Sequence, residues 1–446
     1  MRYAPPGLCL NDFDLIKPDN MYHVIHLQGP PVHPFDAARL ETSYGHAVSK
    51  DLISWETRAP VFGISSPPHF DDSAIWTMHI VDKDNRLWMF YTGVSHQKYF
   101  YQAIGLAVSD KKDGTSWIRY KSEPLVSADS RYYQTGNDMA WRDPFVIYDE
   151  QNDQWIMYSA AKTKRGNIKT RGCIGVATSK NMIDWTVHPP ILAPAKYNEM
   201  ECPVIYRYND DWYMLVSISD DSRIHTFRAR QPLGKFEYCG VLTSHHNYAP
   251  RIIKAPNGDP VLLHTVSRRW RHEDSGAFMR GMLAQPKKLL FDDHGIPYLG
   301  WYLPVEEYFL SDEIDEGKNG LFSIQLPSYY GKVEMYFRLN KKNSQKSGLQ
   351  LLLDSKYLIL QYLEDKYLLE SVEIAEKIKF KEIKILLVGE FIEIYCDDKL
   401  FMSTVTYRHK YGKFEAWIDQ KAVDFSFKAY INKMNNPARY DINRIP

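Results

Sequence analysis

Cysteine is scarce in this chain of 446 residues, with five in all: Cys9, Cys173, Cys202, Cys239 and Cys396. They are scattered, odd in number and never spaced Cys-x-x-Cys, which argues against a disulfide framework and a structural zinc site. Charge of one sign is also missing. Lys plus Arg and Asp plus Glu both total 55, so the formal net charge is zero. Without a basic excess or a block of like charge, neither nucleic acid nor an anionic membrane surface is an expected partner. No apolar run approaches the roughly 20 residues of a membrane span. The N-terminal stretch MRYAPPGLCLNDFDL lacks the apolar core of a secretory signal. The simplest expectation is a soluble, cytoplasmic protein. No signal for an oligomeric state is present.

Aromatic residues are abundant, at 14% of the chain with 31 Tyr and 11 Trp. Tyr and Trp favour strands, and most of them are expected to pack a β-rich core. Some are also suited to sugars, because a flat ring stacks on a sugar C–H face while its polar edge forms hydrogen bonds. Helical periodicity is nearly absent over the first 300 or so residues. A strand-like element recurs there instead: Tyr22–His26, Leu87–Tyr91, Gln154–Tyr158, Asp211–Leu215 and Pro260–His264. Its copies lie roughly 50–70 residues apart, the scale of a four-stranded propeller blade. A second element follows: Ala47-Val48-Ser49 with Trp55, Ala107-Val108-Ser109 with Trp117, and Ala177-Thr178-Ser179 with Trp185. A degenerate fourth version lies around Arg228-Ala229-Arg230 and Phe236.

Five copies predict a five-bladed β-propeller over residues 1–305. An acidic, turn-rich stretch, Asp312 to Lys318, then introduces short alternating strands between Lys332 and Tyr430. Their regular spacing predicts a β-sandwich over residues 306–446. The expected fold class is all-β.

Three acids stand near the starts of strand-like stretches: Asp12 in Asn11-Asp12-Phe13, Asp143 in Trp141-Arg142-Asp143-Pro144, and Glu201 in Met200-Glu201-Cys202-Pro203. A ring of blades brings strand starts to one axis, so acids distant in sequence can meet. Three such carboxylates can cleave a glycosidic bond: one attacks, one donates a proton and one steadies the developing positive charge. Taken singly, each has a plainer reading: Asp12 as a turn cap, Arg142-Asp143 as a structural ion pair, Glu201 as a solvated strand-start residue.

At these residues the chain resembles glycoside hydrolase family 32, the β-fructofuranosidases. The resemblance runs from about Leu10 to about Tyr430. Arg142-Asp143-Pro144 is similar to the family's Arg-Asp-Pro motif, and Glu201-Cys202 to its Glu-Cys motif. Tyr44-Gly45-His46-Ala47-Val48-Ser49, Phe90-Tyr91-Thr92-Gly93 and Tyr248-Ala249-Pro250 also resemble family segments. The first motif departs from the pattern. It keeps Asn11-Asp12, but Phe13-Asp14 replaces the Pro-Asn-Gly turn, and Trp76-Thr77-Met78-His79 replaces a Ser-Gly-Ser stretch.

The resemblance implies a five-bladed propeller followed by a β-sandwich, and a retaining hydrolase of terminal β-fructofuranosides that needs neither cofactor nor metal. It implies Asp12 as nucleophile, held ionised by donors such as Asn11 and nearby amides. Glu201 would be the acid and then the base, and Asp143 the transition-state stabiliser. Asn11, Gln28, Trp76, Thr77, Arg142 and Tyr248 are candidate sugar contacts, with His79 beside Trp76 and Thr77. His26 and Gln28 close the first repeated strand, taken as an inner strand. The Arg268-Arg269-Trp270-Arg271 cluster is either a solvated face or a grip for an acidic sugar. His33, His46, His245 and His246 lack a metal-ligand spacing. The altered shell leaves two alternatives open: another furanoside, such as an arabinofuranoside, or a carbohydrate-binding relative without activity.

Overall fold

Strands carry almost all of the regular structure. The computed structural model describes residues 2–96, 100–310, 319–342, 345–374 and 379–430. Among these the one α-helix is the four-residue Pro34–Ala37. The acidic stretch 312–318 lies outside the described residues.

Four four-stranded antiparallel arrays follow one another. The first holds Cys9–Ile16, Tyr22–Gly29, Ser43–Ser49 and Glu56–Gly63. The second holds Ala74–Lys83, Arg86–Ser95, Tyr101–Ser109 and Ile118–Arg119. The third holds Trp141–Asp149, Gln154–Lys162, Gly172–Ser179 and Thr186–Leu192. The fourth holds Met200–Tyr208, Asp211–Ile218, Arg223–Ala229 and Glu237–Val241. In the fifth blade, Asn247–Lys254 and Pro260–Arg269 are followed by a broken third strand, Phe278–Leu283 and Lys287–Phe291, and then Pro297–Gly300. The innermost strands pack against one another in a closed ring, the fifth against the first.

The five repeated stretches that betray the blades are the second strands, not the inner ones, so His26 and Gln28 lie one strand out from the axis. The reason is burial. A second strand is covered on both faces and both edges, and Tyr22–Gln28 is buried throughout. The inner strand is interrupted by polar residues that face the axis, which weakens its pattern. The Ser-to-Trp element is a fixed turn. Leu52, Gly114 and Met182 adopt φ of 67°, 63° and 66°, and the indoles of Trp55, Trp117 and Trp185 donate to the carbonyls of those same three residues.

The ring closes through the N-terminal segment. Leu10 pairs with Gly281, and Tyr3 and Leu283 exchange backbone hydrogen bonds of 3.0 and 2.7 Å. A Cβ at residue 281 would meet the Val266 carbonyl oxygen at 1.7 Å, so only glycine allows that approach. A buried ion pair ties the first and fifth inner strands: Arg251 Nε donates to Asp14 Oδ1 at 2.9 Å, with both side chains 3% exposed. Arg251 also donates to the Met78 carbonyl at 3.0 Å, and Asp14 Oδ2 accepts from the Ile80 amide at 2.6 Å.

Beyond the propeller, two sheets form the sandwich. One contains Val333–Lys342, Gln345–Leu353, Tyr357–Tyr362, Leu368–Glu373, Lys413–Ile418 and Lys421–Ala422. The other contains Phe309–Leu310, Gly320–Gln325, Glu382–Val388, Phe391–Cys396, Lys399–Val405 and Ser426–Tyr430, and joins the fifth blade where Gly300 pairs with Lys399. Met335, Leu351, Leu360, Ile385 and Ile394 are among the apolar residues packed between them. All five cysteines are free. No helix among the described residues is long and apolar enough to cross a membrane.

Removing one member of the Asp14–Arg251 pair leaves a buried charge without its counterion. Asp14→Asn is expected to cost roughly 3–5 kcal/mol of unfolding free energy in denaturant titrations. The double replacement Asp14→Leu with Arg251→Met should recover most of that loss.

Candidate active site

The inner strands converge on a cavity of about 660 Å³, within the roughly 300–1,000 Å³ of small-ligand sites. Each inner strand breaks register with its second strand where it reaches this cavity. The breaks lie between Leu10 and Phe13, Trp76 and Met78, Arg142 and Phe145, Glu201 and Val204, and Tyr248 and Arg251. These are β-bulges, which re-aim side chains. Asn11, Asp12, Thr77, Asp143, Cys202 and Ala249 fall inside the breaks, and Trp76, Arg142, Glu201 and Tyr248 immediately precede them. In the last three blades the residue inside the break has positive φ: Asp143 57°, Cys202 49° and Ala249 48°. Each is followed by proline, which offers the ladder no N–H.

The bulges bring the three acids to one cavity. One oxygen each from Asp12 and Asp143 and the Cys202 sulfur lie within 4.8 Å of one another. Thr77 Oγ1 donates to Asp12 Oδ2, and the Cys202 amide donates to Asp143 Oδ2 at 3.0 Å. The Asp143 amide donates to Thr92 Oγ1 at 2.9 Å. Arg142 Nη2 donates to Glu201 Oε1 at 2.5 Å, and the Tyr248 hydroxyl donates to Glu201 Oε2.

Burial dominates the protonation of these groups. It pushes Asp12 upward against the Thr77 hydrogen bond, and Asp143 upward against the Arg142 charge. Burial lifts Glu201 to about 7; Arg142 opposes the rise, while the Glu199 and Asp143 charges add to it. A carboxyl so poised is protonated in an appreciable fraction near neutrality. Burial also raises Cys202 well above the usual thiol range, and a thiol held protonated is a poor metal ligand.

Asn11, Trp76, Thr77, Arg142 and Tyr248 all line the cavity, while Gln28 does not. Gln28 donates to Ser43 Oγ at 3.0 Å and packs behind Gly45. Asn11 is in place but gives its amide to Glu41 Oε1 at 3.1 Å, so the donor to Asp12 is Thr77 rather than the expected Asn11. Trp76 anchors its indole N–H on the Ala38 carbonyl at 2.9 Å. His79 accepts from the Val146 amide at 3.1 Å, against the Phe145 ring, and lines no part of the cavity.

The basic cluster also stands outside the cavity. Arg268 meets Glu390 at 3.4 Å, Arg269 lies over Phe278 at 3.9 Å, Trp270 meets His33 edge-on and Arg271 covers Trp270. Of the four histidines, His33 caps the short helix, His46 meets His23 at 3.0 Å, His245 pairs with Glu370 and His246 stacks on Phe278.

Sequence reasoning missed four charged residues that line the cavity: Glu41, Asp138, Glu199 and Arg280. Arg280 Nε donates to Glu41 Oε1 at 2.8 Å, and both line the cavity beside Asn11. Glu199 lines it beside Glu201, with Lys162 Nζ at 3.0 Å. None falls in a recognisable motif; the only signal is polar residues at strand ends that abut the repeated blade elements. Six carboxylates line the cavity (Asp12, Glu41, Asp138, Asp143, Glu199 and Glu201) against two guanidiniums, Arg142 and Arg280. That balance suits an uncharged ligand and repels an anionic one.

This fold and site define a class of β-propeller proteins with an acid-lined axial cavity. The family profile described as "Glycosyl hydrolases family 32 N-terminal domain" matches residues 3–293, and the chain belongs to glycosyl hydrolase family 32. It is 25% identical over 218 residues to an invertase of Debaryomyces hansenii, covering 44% of this chain and 36% of that protein. It is 30% identical over 175 residues to a levanase of Bacillus subtilis, covering 37% of this chain and 21% of that protein. The chain thus spans well under half the length of these curated relatives. A solved glycoside hydrolase family 32 structure from Bifidobacterium adolescentis superposes with a TM-score of 0.74 at 13% identity, covering 96% of this chain and 81% of that one. That likeness speaks to the fold, a five-bladed β-propeller with a β-sandwich.

A carboxyl raised in the folded state makes stability fall as pH rises from its ordinary value, 4.5, to its folded value, about 7. Glu201→Gln removes this dependence. It is expected to raise the thermal unfolding midpoint at pH 8 and much less at pH 4.5, with a gain on the order of 3 kcal/mol at the higher pH. Equal shifts at both pH values would refute the assignment.

Proposed function

We propose that the chain is a retaining glycoside hydrolase that cleaves terminal β-fructofuranosides such as sucrose, fructo-oligosaccharide or fructan. The catalytic propeller would comprise residues 1–305 and the sandwich residues 306–446. The observation that carries the reading is the meeting of Asp12, Asp143 and Glu201 at one cavity, with Glu201 alone paired to both a guanidinium and a phenol.

Thr77 occupies Asp12 Oδ2, which leaves Oδ1 to attack the anomeric carbon. Thr77 and the nearby Arg280 charge both favour the ionised form that attack requires. Glu201 donates its proton to the glycosidic oxygen as the bond breaks, and the sugar becomes an ester on Asp12. Glu201, now ionised, takes a proton from the water that hydrolyses the ester. Asp143 stabilises the oxocarbenium-like transition states from a fixed position, set by the Cys202 amide and Arg142. The carboxylate-rich wall favours an uncharged sugar over a phosphorylated or acidic one.

One rival has a specific observation behind it. Glu41 and Arg280 bring an ion pair to the wall beside Asn11, a set of donors and acceptors that another furanoside, such as an arabinofuranoside, would exploit. The test is incubation of purified protein with sucrose, inulin, levan and nitrophenyl arabinofuranoside. Fructose release is expected, and Asp12→Ala should lower it by roughly 10³-fold or more. Arabinose release alone would overturn the sugar assignment; no release from any substrate would overturn the enzyme reading in favour of a carbohydrate-binding protein.

A further inference from the structure

Glu199 stands two residues before Glu201, the spacing at which extended backbone presents side chains to one face. Both carboxylates reach the same nitrogen. Arg142 Nη2 donates to Glu199 Oε2 and to Glu201 Oε1. The other Glu199 oxygen lies 3.0 Å from Lys162 Nζ. Lys162 is 1% exposed and donates to Asp138 Oδ1 at 2.5 Å. Arg171 Nη2 lies 3.3 Å from Asp138 Oδ2. Charges therefore alternate in sign through Arg171, Asp138, Lys162, Glu199, Arg142 and Glu201.

A carboxylate with an arginine to itself is held ionised and is a poor proton donor. Here the guanidinium is divided. Burial works against the Glu199 charge, yet Arg142 and Lys162 hold its pKa down to about 2, so it remains an anion. We propose that Glu199, pinned by Lys162, is a positioning residue that shares Arg142 with Glu201 and thereby keeps Glu201 able to donate a proton. The proposal rests on the reading of Glu201 as the catalytic acid. The remaining groups that face Glu201 are Asp143 on the third inner strand, Cys202 on its own strand, Tyr248 on the fifth, and the more distant Asp12 and Arg280. Cys202 and Tyr248 stay neutral, because burial raises both well above their ordinary ranges.

Two substitutions in this chain of charges give opposite expectations. Glu199→Gln removes a nearby anion and returns Arg142 to Glu201, so Glu201 should titrate about 1 pH unit lower. Lys162→Met removes a cation, so Glu201 should titrate higher. The readout is a 13C NMR titration of protein labelled at the glutamate δ-carbon, with Glu201→Gln identifying the resonance. The alkaline limb of kcat/KM for fructoside hydrolysis should move in the same directions. Shifts of like sign in both variants, or none, overturn the proposal. Should Lys162→Met fail to fold, Asp138→Asn at a half-exposed side chain replaces it: loss of that anion should lower the Glu201 titration, and a rise would overturn the proposal. An inactive wild type would defeat the fructosidase reading, while the NMR titration still decides the role of Glu199.

Discussion

A strand in unbroken register presents its side chains alternately to two faces, and in a propeller blade both faces are buried against neighbouring blades. Residues on such a strand have no route to the axis. The register breaks at the mouth of the ring supply that route. They release Asp12, Thr77, Asp143 and Cys202 from the ladder and turn adjoining residues toward a shared cavity. The site thus depends on a backbone constraint before any question of side-chain chemistry arises. The positive φ of Asp143 and Cys202 is strain that surrounding structure must hold, and the hydrogen bond between them shows how: the Cys202 amide, freed by its bulge, is satisfied by the Asp143 carboxylate.

Once the bulges gather the acids, electrostatics separates their roles. Burial pushes Asp12, Asp143 and Glu201 upward alike, so what distinguishes them comes from neighbours. Asp12 has a hydroxyl donor, with the Arg280 charge acting on it against that of Glu41. Asp143 has a backbone donor and a guanidinium edge at 3.7 Å. Glu201 has the guanidinium and the phenol but also a second glutamate competing for the former. Related chemical groups in one low-dielectric space thereby have different partners on which their protonation depends.

The blade count, the sandwich and the three acids were legible in the sequence because each has a local signature: the repeated second strand, the alternating short strands, and the tripeptides at the bulges. Those of the third, fourth and fifth blades, though not Asn11-Asp12-Phe13, are legible for a physical reason. Pro144, Pro203 and Pro250 mark places where the ladder needs no N–H, and the residue ahead of each takes the unusual backbone conformation. The ion-pair partners were not legible. Glu41 reaches the cavity from between the second and third strands of the first blade, and Arg280 from the third position of the fifth. Gln28 was misplaced because the strongest hydrophobic pattern belongs to the doubly buried second strand, from which Leu27 reaches the cavity while Gln28 does not.

Ring closure gives the sandwich a mechanical part in the site. The acids come from the first, third and fourth blades, so their geometry holds only if the fifth blade completes the circle. Its broken third strand does so twice. The half at Phe278–Leu283 seals against Leu10 and Tyr3, two residues and nine residues ahead of Asp12. The half at Lys287–Phe291 turns outward, where Lys287 Nζ meets Glu393 of the sandwich at 2.5 Å with neither side chain exposed. Tyr395 donates to the same carboxylate at 2.7 Å, and Ser403, which also donates to it, receives the Ser244 hydroxyl at its carbonyl at 3.1 Å. A charge pair buried this completely tolerates little displacement, because a lost partner leaves an uncompensated ion. The sandwich therefore holds the outer half of the strand whose inner half closes the ring, and the position of Asp12 is linked to contacts made well outside the cavity.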